Sequence, residues 1–140
     1  MPNKKLIKDI MTNHVITINE STDLKEATHI FNKYHIRHIP VVNKGHITGM
    51  ISSTDISRLS FGTVMEEESE ADETILNMLT IPQIMTRNPL TISPKATVKE
   101  VADIFVTEDY HAIPVVENDA VVGIVTTTDV IKYLLEILDK

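Results

Sequence analysis

The sequence predicts a mixed α/β (α+β) fold made of two tandem βαββα repeats that pack on each other with pseudo-twofold symmetry. Three observations lead to this prediction. The chain of 140 residues matches itself without a gap at an offset of 74 positions, so that residues 9–60 fall on residues 83–134. In each copy an amphipathic helix precedes two extended apolar runs, and a second helix follows them. A single copy has too little interior to be stable alone, so we expect the two copies to share a buried face.

The first helix of each copy begins with a polar cap that is followed three residues later by an acid. Asp23 and Glu26 form this pattern in the first copy, after a short β-rich run at residues 15–18, and Thr97 and Glu100 form a capping box in the second. The residues that follow recur at helical spacing, which predicts a face packed against a sheet. They are Leu24, Ala27, Thr28, Phe31 and Tyr34, matched by Val98, Val101, Ala102 and Phe105.

The two extended runs of each copy are typical of a β-hairpin. Residues 39–42 and 46–52 flank the turn sequence Asn-Lys-Gly at 43–45. The corresponding runs in the second copy are residues 113–116 and 120–126. Each hairpin is therefore expected to lead into the second helix of its copy. This helix is expected to start within residues 52–55 in the first copy and at Asp129 in the second.

We predict a first repeat at residues 7–60, an acidic connector at 61–80 and a second repeat at 81–138. The connector is predicted to be a helix with a solvated acidic first half, where carboxylates suit the positive end of the helix dipole. A metal site is the alternative for the acidic run, although the spacing of an EF-hand loop is absent. Six of the acids lie in this run, namely Glu66, Glu67, Glu68, Glu70, Asp72 and Glu73.

The net charge of −7 is therefore mostly local, and the rest of the chain is close to neutral. Without a basic stripe or aromatic platforms, nucleic-acid binding has little support. No apolar run approaches the roughly 18 residues of a membrane span, and residues 1–8 lack the apolar stretch of a signal peptide. The absence of cysteine excludes disulfides and thiolate chemistry. We expect a cytoplasmic protein that contacts no membrane.

The most informative motif is Gly-x-x-Ser/Thr-x-Thr-Asp, which runs from a strand into a helix in both copies. Its hydroxyl groups and the free N–H groups of the first helical turn supply donors, and its carboxylate can accept from two vicinal hydroxyls of a sugar. An Asp or Thr at a helix start is also an ordinary cap, and both interpretations stay open. The candidate residues are Ser52, Thr54 and Asp55 with their copies Thr126, Thr128 and Asp129.

Cationic side chains precede the first strand of each hairpin. Arg37 and His38 occupy these positions in the first copy, and His111 and Ala112 in the second. Such cations can bind a phosphate, although isolated surface Arg and His residues are more often without a role. The sequence shows no metal-binding histidine pattern, nucleophile elbow or Gly-rich phosphate loop, so we predict neither a metal site nor an enzyme.

Together these residues resemble a known family, the tandem pair of CBS domains that is named for cystathionine β-synthase and is also called a Bateman module. The resemblance covers nearly the whole chain because three motifs occur in order, twice, at one offset. The motifs are residues 9–18, 36–42 and 49–55, with copies at 84–92, 110–116 and 123–129.

The resemblance implies a regulatory module that senses an adenine nucleotide or adenosyl compound in clefts between the two repeats. The ligand would be AMP, ADP, ATP or S-adenosylmethionine, and energy sensing is implied by the regulatory subunit of AMP-activated protein kinase, which has such domains. No cofactor is required. The alternative is a dimerisation or protein-interaction module with degenerate, unoccupied clefts.

The resemblance also implies roles for individual residues. In one cleft Asp55, Thr54 and Ser52 would bind ribose, Arg37 and His38 would contact phosphate, and Thr86 and Thr91 would flank the adenine. The symmetric cleft would combine Asp129, Thr128, Thr126 and His111 with Thr12 and Thr17. Because Ala112 replaces the second cation, phosphate binding should be weaker in this second cleft.

The family pattern further implies a homodimer, in which two modules form a disc, and an effector protein that the sequence does not name. The last helix supports a partner independently, because one repeat cannot cover a helix that is apolar nearly all round. Its apolar residues are Val130, Ile131, Tyr133, Leu134, Leu135, Ile137 and Leu138.

Overall fold

The computed structural model describes residues 4–59 and 76–140. The chain divides into two compact units, of which one comprises Met1–Val15 with Leu90–Lys140 and the other Ile16–Pro89. These units do not coincide with the two sequence repeats. Each repeat contributes its opening segment to the unit that contains the remainder of the other repeat. The unit Ile16–Pro89 is continuous in sequence, whereas the other unit combines two segments that are far apart in sequence.

The unit formed by Ile16–Pro89 contains the elements β1 (Ile18–Asn19), α1 (Leu24–Tyr34), β2 (His38–Asn43), β3 (His46–Ser52), α2 (Ser53–Leu59), α3 (Ile81–Ile84) and β4 (Thr86–Arg87). Its strands form one sheet in the order β1-β2-β3-β4. The pair β1–β2 is parallel, whereas the pairs β2–β3 and β3–β4 are antiparallel. Helices α1 and α2 contact each other, and α2 and α3 both contact β3.

The other unit repeats this arrangement with shorter outer pairings. Its hairpin is antiparallel, and it is extended by a parallel bridge from Ile92 to Val115 and an antiparallel bridge from Thr12 to Ile124. The elements are a 3₁₀ turn (Ile7–Asp9), α4 (Val98–Thr107), β5 (Ala112–Glu117), β6 (Ala120–Thr126) and α5 (Thr127–Leu138). The predicted α/β class and the two repeated series of strands and helices are thus confirmed.

The sequence predicted the helix starts and the first hairpin well. The Asp23 carboxylate accepts a hydrogen bond from the Glu26 N–H at 2.8 Å, and the Thr97 hydroxyl accepts one from the Glu100 N–H at 3.1 Å. The hairpin turn places Lys44 at φ 53° and Gly45 at φ 82°. Two positive φ angles match the right-handed twist of the flanking strands.

Three local predictions were wrong in their limits. The run at residues 15–18 forms a strand only at Ile18–Asn19, where β1 pairs with β2. Helix α5 begins at Thr127, two residues before the expected start at Asp129, because Thr126 is its N-cap. Tyr34 is half exposed, so the stripe of α1 is buried only as far as Phe31. The predicted acidic helix lies mainly at residues 60–75, outside the described residues.

Each unit has its own hydrophobic core. In the unit Ile16–Pro89, apolar residues of α1, β2 and β3 pack with Ile81 and Met85, which come from the opening segment of the second repeat. In the other unit Ile7, from the opening segment of the first repeat, packs with Val98, Val101 and residues of the β5–β6 hairpin. The opening segment of each repeat, called an exchanged segment because it lies in the unit of the other repeat, is therefore part of that unit's core. None of the helices within the described ranges has the length and apolar character needed to cross a bilayer.

Candidate functional site

The glycine of each Gly-x-x-Ser/Thr-x-Thr-Asp motif lies on the second strand of a hairpin, where an exchanged segment pairs with that strand. A Cβ atom at Gly49 would overlap the Met85 side chain and would lie 3.0 Å from the Thr86 carbonyl oxygen. At Gly123 a Cβ atom would lie 2.6 Å from Met11 Sδ and 3.0 Å from the Thr12 carbonyl oxygen. Glycine is required here because its missing side chain lets another backbone come close. This close pairing places each exchanged segment next to the strand that leads into the motif.

The motif ends in a reciprocal cap at the start of a helix. The Ser52 hydroxyl accepts a hydrogen bond from the Asp55 N–H at 3.1 Å, and Asp55 Oδ2 accepts one from the Ser52 N–H at 2.9 Å. Thr126 and Asp129 repeat these two bonds with the same lengths. Such paired bonds satisfy N–H groups that the first turn of a helix leaves without partners. Both aspartates therefore take part in helix capping, together with Ser52 and Thr126.

Capping occupies only part of each carboxylate. The Oδ1 atom of Asp55 makes no hydrogen bond within the cap, and it lies 3.9 Å from a guanidinium nitrogen of the exposed Arg58. The side chain of Asp55 keeps 23% of its surface exposed. In the other unit, the Thr12 hydroxyl lies 3.5 Å from both carboxylate oxygens of Asp129. An ionised carboxylate has about four acceptor positions, so each aspartate can cap its helix and still accept from a ligand hydroxyl.

The residues before each hairpin are held at the same helix starts through their backbone. The Arg37 carbonyl accepts a hydrogen bond from the Ser53 N–H at 2.9 Å, and the His111 carbonyl accepts one from the Thr127 N–H at 3.1 Å. Both side chains are exposed and extend from an anchored backbone. His111 Nε2 also lies 3.9 Å from Asp109 Oδ1.

His38 and Ala112, the second residues of these pairs, occupy equivalent positions in the two hairpins. His38 lies opposite Ser52 in the β2–β3 pair, and Ala112 lies opposite Thr126 in the β5–β6 pair. The opposing residues are the hydroxyl members of the two caps. Positions 38 and 112 are therefore adjacent to the capped helix starts, where the two units differ by one imidazole.

The threonines predicted to complete the two sites are divided between the units. Thr86 is an exposed residue of β4, which pairs with Met50 in the unit that contains Asp55. Thr12 contacts Asp129, as described above. Thr91 belongs to the same unit as Asp129, and Thr17 to the same unit as Asp55. Thr54 and Thr128 are exposed residues in the first turns of α2 and α5.

Two cations close to the aspartates in sequence were not among the predicted site residues. Arg58 follows Asp55 by three residues, and Lys132 follows Asp129 by three residues, so both lie on the helical face of the aspartate. The 74-residue offset relates the two cations to each other. Their recurrence at helical spacing was the signal that could have identified them.

A cleft of about 230 Å³ lies beside Asp129. Helix α5 forms one wall, and the opening segment of the first repeat forms the other. The lining residues are Lys5, Asp9, Ile10, Asp129, Lys132, Tyr133 and Glu136. Because these residues come from opposite ends of the chain, no local sequence pattern indicates that they lie together.

Comparison with known proteins yields consistent matches. The CBS domain family matches the chain twice, at residues 7–62 and 81–136. The protein MJ1225 of Methanocaldococcus jannaschii is 32% identical over 131 residues, which are 92% of this chain and 47% of MJ1225. The chain thus spans about half the length of that relative. The L-aspartate semialdehyde sulfurtransferase of the same organism is 33% identical over 89% of this chain, which corresponds to 22% of the enzyme.

Solved structures agree with these matches. The crystal structure of MJ1225 has a TM-score of 0.81 at 30% identity, and it covers 96% of this chain and 49% of MJ1225. The CBS domain pair of protein MJ0100, solved in complex with 5′-methylthioadenosine and S-adenosyl-L-methionine, has a TM-score of 0.77 at 31% identity. That match covers 94% of this chain and 97% of the MJ0100 pair. On the two family matches and the tandem folds described above, this chain belongs to the CBS domain family.

Proposed function

We propose that this chain is a non-catalytic regulatory module that binds an adenine nucleotide or adenosyl compound at the helix starts marked by Asp55 and Asp129. The observation that carries the proposal is that each carboxylate caps its helix and keeps acceptor capacity for a ligand. Both aspartates lie at a strand-to-helix junction, next to the hydroxyl group with which each forms its cap. A ribose offers the two neighbouring hydroxyl groups that one carboxylate can accept.

Two relatives support the proposal. The MJ0100 domain pair, which matches nearly the whole chain, was solved with two adenosyl compounds. The sulfurtransferase match covers only about a fifth of that enzyme, which agrees with a module that accompanies other activities. In this chain the residues for phosphate would be Arg37 and His38, while His111 would serve the site at Asp129. AMP, ADP, ATP and S-adenosylmethionine are the candidate ligands.

Thermal unfolding with a ligand panel tests this function. The panel contains AMP, ADP, ATP, S-adenosylmethionine and 5′-methylthioadenosine, with GMP and GTP as controls for the base. Ligand at 100 times its Kd should raise the free energy of unfolding by about 2.7 kcal/mol. For a chain of this size we expect the melting temperature to rise by several degrees. If no adenosyl compound raises it, the proposed function is wrong.

A second function, protein interaction through a homodimer, is favoured by the outer face of α5. Ile131, Leu134, Leu135 and Leu138 recur at helical spacing and are between 47% and 78% exposed. A row of large apolar side chains on one helix face is typical of an association surface. This function is compatible with ligand binding, and it would remain if the ligand panel gave no response.

A further inference from the structure

The cleft beside Asp129 is smaller than the pockets that hold whole drug-sized ligands. Its volume of about 230 Å³ lies below the ~300 to 1,000 Å³ that is typical of pockets for whole drug-sized ligands. Asp129 lies at one end of the helical face that continues through Lys132, Tyr133 and Glu136. A ligand with its ribose on Asp129 would therefore place only a substituent of the ribose in this cleft.

The charges that line the cleft are mixed. Lys5 and Lys132 are cationic, whereas Asp9, Asp129 and Glu136 are anionic. Within residues 4–59 and 76–140, no ion pair or side-chain hydrogen bond involves either lysine, Asp9 or Glu136. These charged groups can consequently bind a ligand without first breaking an internal pair.

A polyphosphate is a poor match for this lining because it would face three carboxylates beside two ammonium groups. Like charges brought together across an interface cost free energy, whereas complementary charges provide specificity. A ligand part that carries both an ammonium and a carboxylate would meet an opposite charge for each. The Tyr133 ring in the same wall can also attract a cation.

The other repeat has no equivalent cleft lining. At the same offset, Lys5 and Asp9 correspond to Leu79 and Gln83, and Tyr133 corresponds to Leu59. In the unit with Asp55, a guanidinium nitrogen of Arg58 lies 3.9 Å from the carboxylate, and Arg37 stands at the position that corresponds to His111. The two units therefore present different charges around the same ribose-binding motif.

We propose that the site at Asp129 takes an adenosyl compound with an amino-acid tail, and that the tail occupies the cleft between α5 and the opening segment of the chain. Lys132 and Lys5 bind its carboxylate, while Glu136 and Asp9 bind its ammonium group. This inference rests on the proposed function and deepens it, since it assigns a ligand class to one of the two sites.

The test compares three ligands that share the adenosyl group. S-adenosylmethionine and S-adenosylhomocysteine carry the amino-acid tail, and 5′-methylthioadenosine lacks it. Affinities are measured by calorimetry in an Asp55→Asn background, so that the heat reports the site at Asp129. The cleft variant combines Lys132→Gln with Glu136→Gln, and it removes one charge of each sign from the exposed wall of the cleft.

In the cleft variant, we expect both tailed compounds to bind more weakly by about two- to fivefold for each lost pair, up to about thirtyfold for both, the range for exposed ion pairs. Binding of 5′-methylthioadenosine should not change. The matched control combines Lys99→Gln with Asp103→Asn, which removes an exposed ion pair of 3.1 Å on α4 of the same unit. All affinities should be retained in this control.

The outcomes separate this inference from the proposed function. If the cleft variant binds the tailed compounds as tightly as its parent, or loses all three ligands equally, the inference is wrong. A further Asp129→Asn change that abolishes the remaining binding would then uphold the proposed function alone. If the parent binds none of the three compounds but binds AMP, ADP or ATP, the inference is wrong and the proposed function stands. If the parent binds none of these six compounds, both proposals fail at this site.

Discussion

At the scale of single residues, Asp55 and Asp129 combine a structural role with a proposed binding role. Each accepts a hydrogen bond from the backbone N–H three residues earlier and so completes the first turn of its helix. Replacing either aspartate by alanine removes this hydrogen bond and so destabilises the start of the helix. An alanine variant would therefore mix a loss of folding with a loss of binding, and asparagine is the better substitution.

We predict that Asp55→Asn keeps the fold but weakens ligand binding at its site. The amide oxygen can still accept from the Ser52 N–H, but the amide nitrogen is a donor and cannot accept from a hydroxyl. The loss of a hydrogen bond to a charged group corresponds to about 1.5 to 3 kcal/mol, or roughly ten- to 150-fold in Kd. Calorimetry with AMP measures the affinity, and thermal unfolding confirms the fold.

Asp23→Asn is the matched control because Asp23 caps α1 and has no proposed contact with ligand. This variant should bind AMP as tightly as the parent. Equal affinity in Asp55→Asn and in the parent would show that the aspartate is a cap and nothing more.

We also predict that Arg37 discriminates between ligands with and without phosphate. Its backbone is anchored at the start of α2, and its exposed guanidinium can form paired bonds to a phosphate. Arg37→Ala should therefore weaken AMP binding by about tenfold or more while adenosine binding changes little. Equal losses for AMP and adenosine, measured by competition, would contradict the phosphate role.

At the scale of elements, each exchanged segment can pack closely against its strand because a glycine, Gly49 or Gly123, lies at the contact. The Cβ atoms of alanine at Gly49 or Gly123 would come too close to a methionine side chain and a threonine carbonyl oxygen. The methionine can move, but the carbonyl belongs to a paired strand. Each of these close contacts therefore holds an opening segment against the strand that leads into the Gly-x-x-Ser/Thr-x-Thr-Asp motif.

We predict that Gly49→Ala lowers the free energy of unfolding by about 1 to 3 kcal/mol, the range for overpacking a well-packed site. Denaturant unfolding measures the change. Met85→Ala removes one of the two clashing groups, so the double variant should lose less stability than the two single variants together. Strictly additive losses would show that the glycine does not contact Met85 in the way described.

At the scale of the whole molecule, each compact unit needs both sequence repeats. Ile81 and Met85 belong to the core of the unit Ile16–Pro89, and Ile7 is fully buried in the core of the other unit. Neither repeat therefore completes a unit by itself. Among the described residues, the large apolar side chains on the outer face of α5 stay exposed, which leads to a prediction about association.

We predict that the chain associates through α5 and that Leu134→Glu shifts it toward the monomer. A buried carboxylate without a partner is costly at an apolar interface, so the dissociation constant should rise by at least tenfold. Sedimentation over a range of concentrations measures it. Val106→Glu is the control because Val106 is also apolar and 84% exposed, but lies on α4. If Leu134→Glu leaves the molecular mass unchanged, another surface mediates association or the chain is monomeric.

The sequence alone determined the features that depend on near neighbours in the chain. The repeat, the helix caps at Asp23 and Thr97 and the turn at Lys44 and Gly45 all follow from interactions over a few residues. The 74-residue offset then applied the same assignments to the second copy. Candidate binding residues could be named because their motif occurs twice, but the sequence could not separate capping from binding.

Tertiary structure alone decided which distant segments meet. The opening segments lie in the unit of the other repeat, and Lys5 faces α5 across a charged cleft. The family resemblance had already placed Thr12 with Asp129, and the structure adds the distance of 3.5 Å. These contacts depend on the path of the chain and on the close packing of backbones at Gly49 and Gly123. Local propensities for helix or strand carry no information about either. The sequence thus defined two copies of one Gly-x-x-Ser/Thr-x-Thr-Asp motif, whereas the fold surrounded them with different charges.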